Sequence, residues 1–388
     1  MQLFHPSHRL SHVIRFKLPK PHRKGIITMK KRNKWMIYTL AASLLAAPLA
    51  ISFPGQQAEA AAKAKYTVSP QAFSIEGAKK AIKTINLHGT TYIALRDLSN
   101  GIGLGIGFDK ATQVVKVTGK NRVLEINLNA TSFKLNDQLL WGPQLVVQDN
   151  TTYLPMRFIL EQMGYLVGYD SSTKLIALKA VQENDVKIGA KEIGADGDGR
   201  SLLVYYPVLS GLADRGVQQT INTFLKEEAD KHVAAGAKEI GLVAEENNNI
   251  LDKDPNATVR QPSFDGRFTV TYNEKGKLSL YVDYDVYLGG AHGMIARVPY
   301  TFDLSTGKVL TLKEVANNNA NYVSMINNKV KEQIKERKLE LLNPFTSIEA
   351  DRDFFLNRNG VVIYFTQYEY TPYAAGMPEF TIPYSAFQ

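Results

Sequence analysis

Between residues 278 and 287 the chain alternates strictly. Leu278, Leu280, Val282, Tyr284 and Val286 share one face, and Ser279, Tyr281, Asp283, Asp285 and Tyr287 share the other. A period of two predicts a strand with one buried and one polar face. Residues 268–272 precede it across Asn273-Glu274-Lys275-Gly276, a hairpin signal. Upstream, residues 202–206 read as a strand, and Val217, Ile221, Phe224 and Leu225 mark one face of a helix. Downstream, strands are expected at 298–304 and 309–312, joined by Ser305-Thr306-Gly307-Lys308. A helix through Tyr322, Ile326, Val330 and Ile334 and a last strand at 361–365 follow. This order predicts an antiparallel sheet with helices on one face, not an alternating parallel βαβ sheet.

The preceding region repeats itself. Thr90-Thr91-Tyr92-Ile93-Ala94-Leu95-Arg96 returns without gaps as Thr151-Thr152-Tyr153-Leu154-Pro155-Met156-Arg157. Gly103, Gly107, Asp109 and Thr112 return as Gly164, Gly168, Asp170 and Thr173, with Leu98, Phe108 and Val115 matched by Ile159, Tyr169 and Ile176. Each copy predicts a strand, a short helix opening near the Arg, an Asp-led turn and a closing strand, with Gly164 stopping the second helix. Two copies are too few for a solenoid and imply a small two-unit α+β domain. The expected organisation is α+β in two domains: a leader at 1–60, the repeat domain at 61–180, a linker at 181–200 and a C-terminal domain at 201–388. Ala195-Asp196-Gly197-Asp198-Gly199 is read as a turn or linker, since Arg200-Ser201-Leu202 breaks a calcium-loop pattern.

The net charge of +9 sits in the leader. Residues 1–60 hold ten of the 46 Lys and Arg but one of the 37 Asp and Glu, leaving 36 of each. A nucleic-acid partner loses its support. Met29-Lys30-Lys31-Arg32-Asn33-Lys34, an uncharged apolar stretch at 35–53 and Ala58-Glu59-Ala60 form a secretory signal with a cleavage site. Met29 is the expected functional start, and a retained anchor is the alternative. No later segment is apolar enough to span a membrane. The chain has no cysteine, so an exported product has neither disulfides nor a lipoprotein anchor.

The repeat resembles the copper amine oxidase N-terminal-like, or stalk, domain of exported Gram-positive proteins, which is not the catalytic part of that family. Two segments further on, Tyr287-Leu288-Gly289-Gly290-Ala291-His292-Gly293 and the run QYEYTPYAAGMPEFTIPY at 367–384, resemble the extracytoplasmic domain of anti-sigma-V factors, which sense lysozyme. They are also similar to the non-catalytic domain accompanying a peptidoglycan N-acetylmuramic acid deacetylase. The resemblance implies an extracytoplasmic protein, secreted or wall-associated, whose partner is a lysozyme-like protein or peptidoglycan.

Catalytic chemistry has little support in the residues. After the leader only His88, His232 and His292 remain, with no zinc spacing, no Gly-x-Ser-x-Gly elbow and no dinucleotide or Walker fingerprint. No cofactor, metal or catalytic residue is expected. His232 is placed on a surface-like face of a charged helix. His292, between glycines and following Asp283 and Asp285, is either a ligand-binding ring or a structural one bonded to a backbone carbonyl. Tyr287, Tyr368, Tyr370, Tyr373 and Glu369 complete the candidate binding residues, with packing tyrosines as the alternative. The expected function is non-enzymatic binding of a wall-associated ligand by the C-terminal domain. A cell-surface scaffold and a cell-wall hydrolase or deacetylase-associated enzyme stand as alternatives.

Overall fold

A computed structural model describes residues 65–388, and the expected leader and its cleavage site lie outside the described residues. The chain enters through β1 (Val68–Ile75) and β2 (Ala78–Leu87) and then runs the first repeat copy. That copy is β3 (Thr90–Ala94), α1 (Leu95–Asp97) with a π turn at 98–102, and the hairpin β4 (Gly105–Asp109) and β5 (Val114–Gly119). Between copies lie β6 (Arg122–Asn127), β7 (Ser132–Leu135), β8 (Gln138–Leu140) and β9 (Val146–Gln148). The second copy is β10 (Thr151–Pro155), α2 (Met156–Gln162), β11 (Tyr165–Asp170) and β12 (Leu175–Ala180).

The copies meet where β3 and β10 pair antiparallel, Ile93 opposite Leu154. Gly103 and Gly164 both end their helical segments at positive φ, +89° and +83°. Asp109 and Asp170 cap their turns as expected, each accepting two backbone N–H groups ahead. Those bonds, with Ser172 and Thr173, hold the Asp170 carboxyl down at about 2. Each copy has one strand more than its pattern predicts. β4 and β11 lie at sheet edges, mostly exposed, so they carry no buried period to read. A seven-stranded sheet (β11-β12-β1-β2-β3-β10-β9) and a five-stranded one (β4-β5-β6-β7-β8) share one core with α2, including Phe73, Ile93, Leu124, Phe133, Leu154 and Ile159.

The C-terminal half is built on β13 (Lys187–Gly197), β14 (Arg200–Ser210), β15 (Ser263–Glu274), β16 (Lys277–Tyr287) and β17 (Met294–Asp303), adjacent in that order. β13 falls in the stretch expected as a linker. It pairs with β14 over its whole length, and the Gly-Asp-Gly sequence forms the hairpin turn between them. The sheet is not wholly antiparallel either: β14 and β15 run parallel. A parallel pair needs a crossover, supplied by α3 (Arg215–Lys253), 39 residues capped by Asp214 at the N–H groups of Gly216 and Val217.

α3 covers the face carrying Leu278, Leu280, Val282, Tyr284 and Val286, all buried as the alternation predicts. It approaches closely at Gly236, where a Cβ would stand 2.5 Å from the Phe264 ring. Beyond β17, Val309 makes a lone bridge to Phe302 where a strand was expected. α4 (Leu312–Val315) and α5 (Tyr322–Glu336) follow, then β18 (Phe354–Asn357), β19 (Gly360–Tyr364) and β20 (Glu379–Pro383). The last three strands form a separate small sheet. One face of it packs on α5, through Ile326, Val330, Ile363 and Phe380. The other meets Tyr281 through Phe355, Val362 and Tyr364. The two main helices thus flank stacked sheets. The Ser279 hydroxyl, bonded to Thr301 and accepting the Leu356 N–H at 2.9 Å, ties the sheets together.

Candidate functional site

The two Gly- and Tyr-rich segments converge at one edge of the C-terminal half. The loop after β16 presents His292, an exposed ring stacked on Tyr373 with centroids 3.8 Å apart. Its Nε2 lies 3.3 Å from the Tyr368 hydroxyl, and its Nδ1 lies 2.9 Å from the Gly293 carbonyl. The Tyr373 hydroxyl donates to that same carbonyl at 3.2 Å. Gln367 fastens the tail by accepting the Ile295 N–H at 2.8 Å. Tyr287 and Arg260 both donate to the Gly290 carbonyl and so fix the glycine turn. Gly293 allows this closeness, because a Cβ there would collide with the Asp285 carboxylate.

His292 therefore does carry the backbone contact of a structural ring, yet its stack stays open to solvent. Tyr368 is 49 % exposed and holds φ at +63°, a strained value for a non-glycine residue. Strain kept at an exposed aromatic cluster is a reason to look there for function.

The polar face of β16 carries the other candidates. In register across the sheet, Asp283 stands between Arg267 and Arg297, and Asp285 between Asp265 and Ile295. Arg297 grips Asp283 with two bonds of 2.8 and 2.9 Å, reaches Glu379 at 2.7 Å and lies 3.7 Å over the Tyr281 ring. Arg267 grips Asp265 likewise. Asp285 has no arginine opposite it. Burial, then Asp265 and Asp283, raise its carboxyl above the ordinary range.

This face forms one wall of a cleft of about 690 Å³, whose other wall comes from the N-terminal half with Gln138, Leu140, Trp141 and Phe158. Gln138 locks the walls together by bonding both the N–H and the carbonyl of Phe268 at 2.9 Å. A cleft of about 710 Å³ elsewhere between the halves holds Arg122, Arg157 and Arg358, each engaged by its own glutamate.

Two predicted residues stand apart. Tyr370 packs against Phe345 and Phe365 in the core. Glu369 is bound by Arg352 at 2.6 and 2.7 Å and accepts the Thr366 N–H at 2.8 Å. His232 is a correction: it is 4 % exposed, tilted against the Tyr284 ring at 4.7 Å, with Glu228 3.8 Å away. The stripe Ile221, Leu225, Ala229, His232, Gly236, Ile240 keeps helical spacing through it, a signal that the charged neighbours mask. Burial holds its imidazole below the ordinary pKa. Sequence reasoning missed Arg267, Asp265, Arg260 and Trp141. The i, i+2 placing of Asp265 and Arg267 on one strand face was the available signal.

Among the described residues no group of three or more His, Asp or Glu is placed to hold a metal ion, and no helix is long and apolar enough to cross a membrane. His88, the one histidine among the described residues of the repeat domain, lies in the exposed turn after β2.

Three family profiles match the chain: the copper amine oxidase N-terminal domain at residues 75–178 and 142–204, deacetylase PdaC at 198–295, and a protein family of unknown function, DUF3298, at 313–385. The anti-sigma-V factor RsiV of Bacillus subtilis (strain 168) is 25 % identical over 219 residues, covering 50 % of this chain and 66 % of RsiV, just under two thirds of it. Among solved structures, a DUF3298 family member from Bacteroides fragilis aligns at 16 % identity with a TM-score of 0.41. Another from Pseudomonas aeruginosa PAO1 aligns at 18 % and 0.34, each alignment covering 52 % of this chain and 91 % of the other. These domains are of kinds typical of extracytoplasmic envelope proteins. The chain carries a copper amine oxidase N-terminal domain followed by a PdaC and DUF3298 region distantly similar to the anti-sigma-V factor RsiV.

Proposed function

We propose that this is an exported, non-enzymatic envelope protein whose C-terminal domain, expected at 201–388, binds a wall-associated ligand. A lysozyme-like protein is the first candidate. The observation that carries the reading is the convergence of His292, Tyr368 and Tyr373 from segments far apart in sequence into one exposed aromatic cluster. Rigid aromatic side chains of this kind anchor protein interfaces, burying large area at low entropic cost. Most of the acids that a hydrolase would recruit are otherwise engaged, Asp283 and Glu379 by Arg297 and Glu369 by Arg352, which leaves Asp285 without a second free carboxylate among these candidates. That favours recognition over acid–base chemistry. Similarity to RsiV supplies the ligand class, through the lysozyme sensing that the resemblance implies.

Hydrogen-exchange mapping of the protein with and without a lysozyme tests the reading. Protection centred on residues 288–294 and 367–376 is expected. Saturating lysozyme without protection in either segment would refute it.

A further inference from the structure

The cleft between the halves borders the aromatic cluster at Tyr287 and Gly293 but has a lining of its own. Trp141 follows β8 and is 78 % exposed, the most exposed of the large apolar side chains described. An indole left in water forgoes the burial that normally places it inside. It is nonetheless held in position. The Arg267 guanidinium sits 4.5 Å over its ring while bonded to Asp265 at 2.7 and 3.0 Å and to the Leu139 carbonyl at 2.5 Å. One ring face is thus pinned by a cation whose own donors are fixed on both walls. At this exposure the opposite face is open.

On the sheet face that also carries Arg267, Asp285 presents a carboxylate without an arginine, next to the Tyr287 and Ser263 side chains. A fixed aromatic plate and an unspent acceptor lining one cleft suit a ring with an apolar C–H face and a hydroxyl rim. The volume falls within the roughly 300–1,000 Å³ of small-ligand sites.

We propose that this cleft binds a short oligosaccharide, one sugar ring stacked on Trp141 with its hydroxyls donating to Asp285. The N-terminal domain then contributes half of a binding site and is more than a spacer. This stands independently of the His292 cluster and of whether that cluster takes a protein.

Trp141 also reports on the site. The chain has two tryptophans, so a full-length Trp35→Phe background leaves Trp141 as the sole indole. Its emission is followed while N-acetylglucosamine tetramer or soluble peptidoglycan fragments are added. A saturable change is expected. By calorimetry, affinity is expected to fall about tenfold in Trp141→Ala, the loss of one stacked aromatic contact. It should fall in Asp285→Asn, partly recover in Trp141→Phe and stay unchanged in Tyr368→Ala. Thermal unfolding of each variant shows that it is folded. No saturable change with either saccharide, or binding that survives Trp141→Ala, overturns the proposal. So does a response to a lysine-rich peptide in place of the sugars. Saccharide binding without lysozyme binding would sink the protein-ligand reading alone.

Discussion

Glu369 sits in the tyrosine-rich tail as though it were a site residue, but its surroundings make it a tether. Its two oxygens take two bonds from Arg352, the Thr366 N–H at 2.8 Å and the Thr366 hydroxyl at 3.2 Å. Arg352 is 13 % exposed and Glu369 21 %, and Arg352 also donates to the Tyr364 carbonyl. Glu369→Ala leaves that guanidinium only the longer contact to the exposed Glu349 at 3.4 Å and the Tyr364 carbonyl, with its Nε already lacking a partner. Breaking a buried pair from one side costs about 3–5 kcal/mol. The residual exposure puts this case at the lower end, about 3 kcal/mol. At roughly 2 °C per kcal/mol for a chain of this size, Tm should fall by about 6 °C. The apolar pair Arg352→Met with Glu369→Leu should recover most of that loss, since the only charge it leaves unpaired there is the exposed Glu349. Thermal unfolding of the single and double variants, with ligand affinity measured below the transition, provides the assay. A Glu369→Ala protein with unchanged Tm and abolished binding would refute the reasoning and return Glu369 to the site.

Other outcomes follow from the same contacts. Burial lowers the His232 pKa in the folded chain, so the unfolded chain takes the proton first as pH falls. Stability is at full above about pH 6.5 and declines below it, and His232→Phe should flatten that decline in denaturant titrations across pH 7 to 5. Glu228 and Tyr284 face the ring, with Lys231 and Tyr300 bonded to Glu228, and all four side chains are kept in that variant. Gly236→Ala gains about 1 kcal/mol of helix propensity but drives a methyl into Phe264, a clash of about 1–3 kcal/mol, so urea unfolding should show a net loss of about 1 kcal/mol. Asp285 has a raised pKa, so its charge opposes folding at neutral pH. Asp285→Asn should raise Tm at pH 7, with the advantage gone below about pH 4, where the carboxyl is protonated.

Local signals carried much of the fold. The alternation at 278–287 marked the buried face of β16 residue by residue, and the repeat placed both Asp turns and both terminating glycines. What local pattern could not express was pairing at a distance. The parallel contact of β14 with β15 depends on a 39-residue helix laying one strand beside another. β13 escaped notice because an edge strand with Gly, Lys and Glu and no buried side chain has nothing periodic to show. The site followed the same rule. His292 and the tyrosines stood out by composition, whereas Trp141 and Arg267 acquire meaning only when the two halves meet.

The most direct test of the central claim is calorimetric titration of lysozyme into the protein beside a Tyr368→Ala, Tyr373→Ala, His292→Ala variant. Saturable binding that disappears in the variant, with Tm close to that of the parent, is the predicted result. Equal binding by both proteins, or none by either while both are folded, would contradict the account.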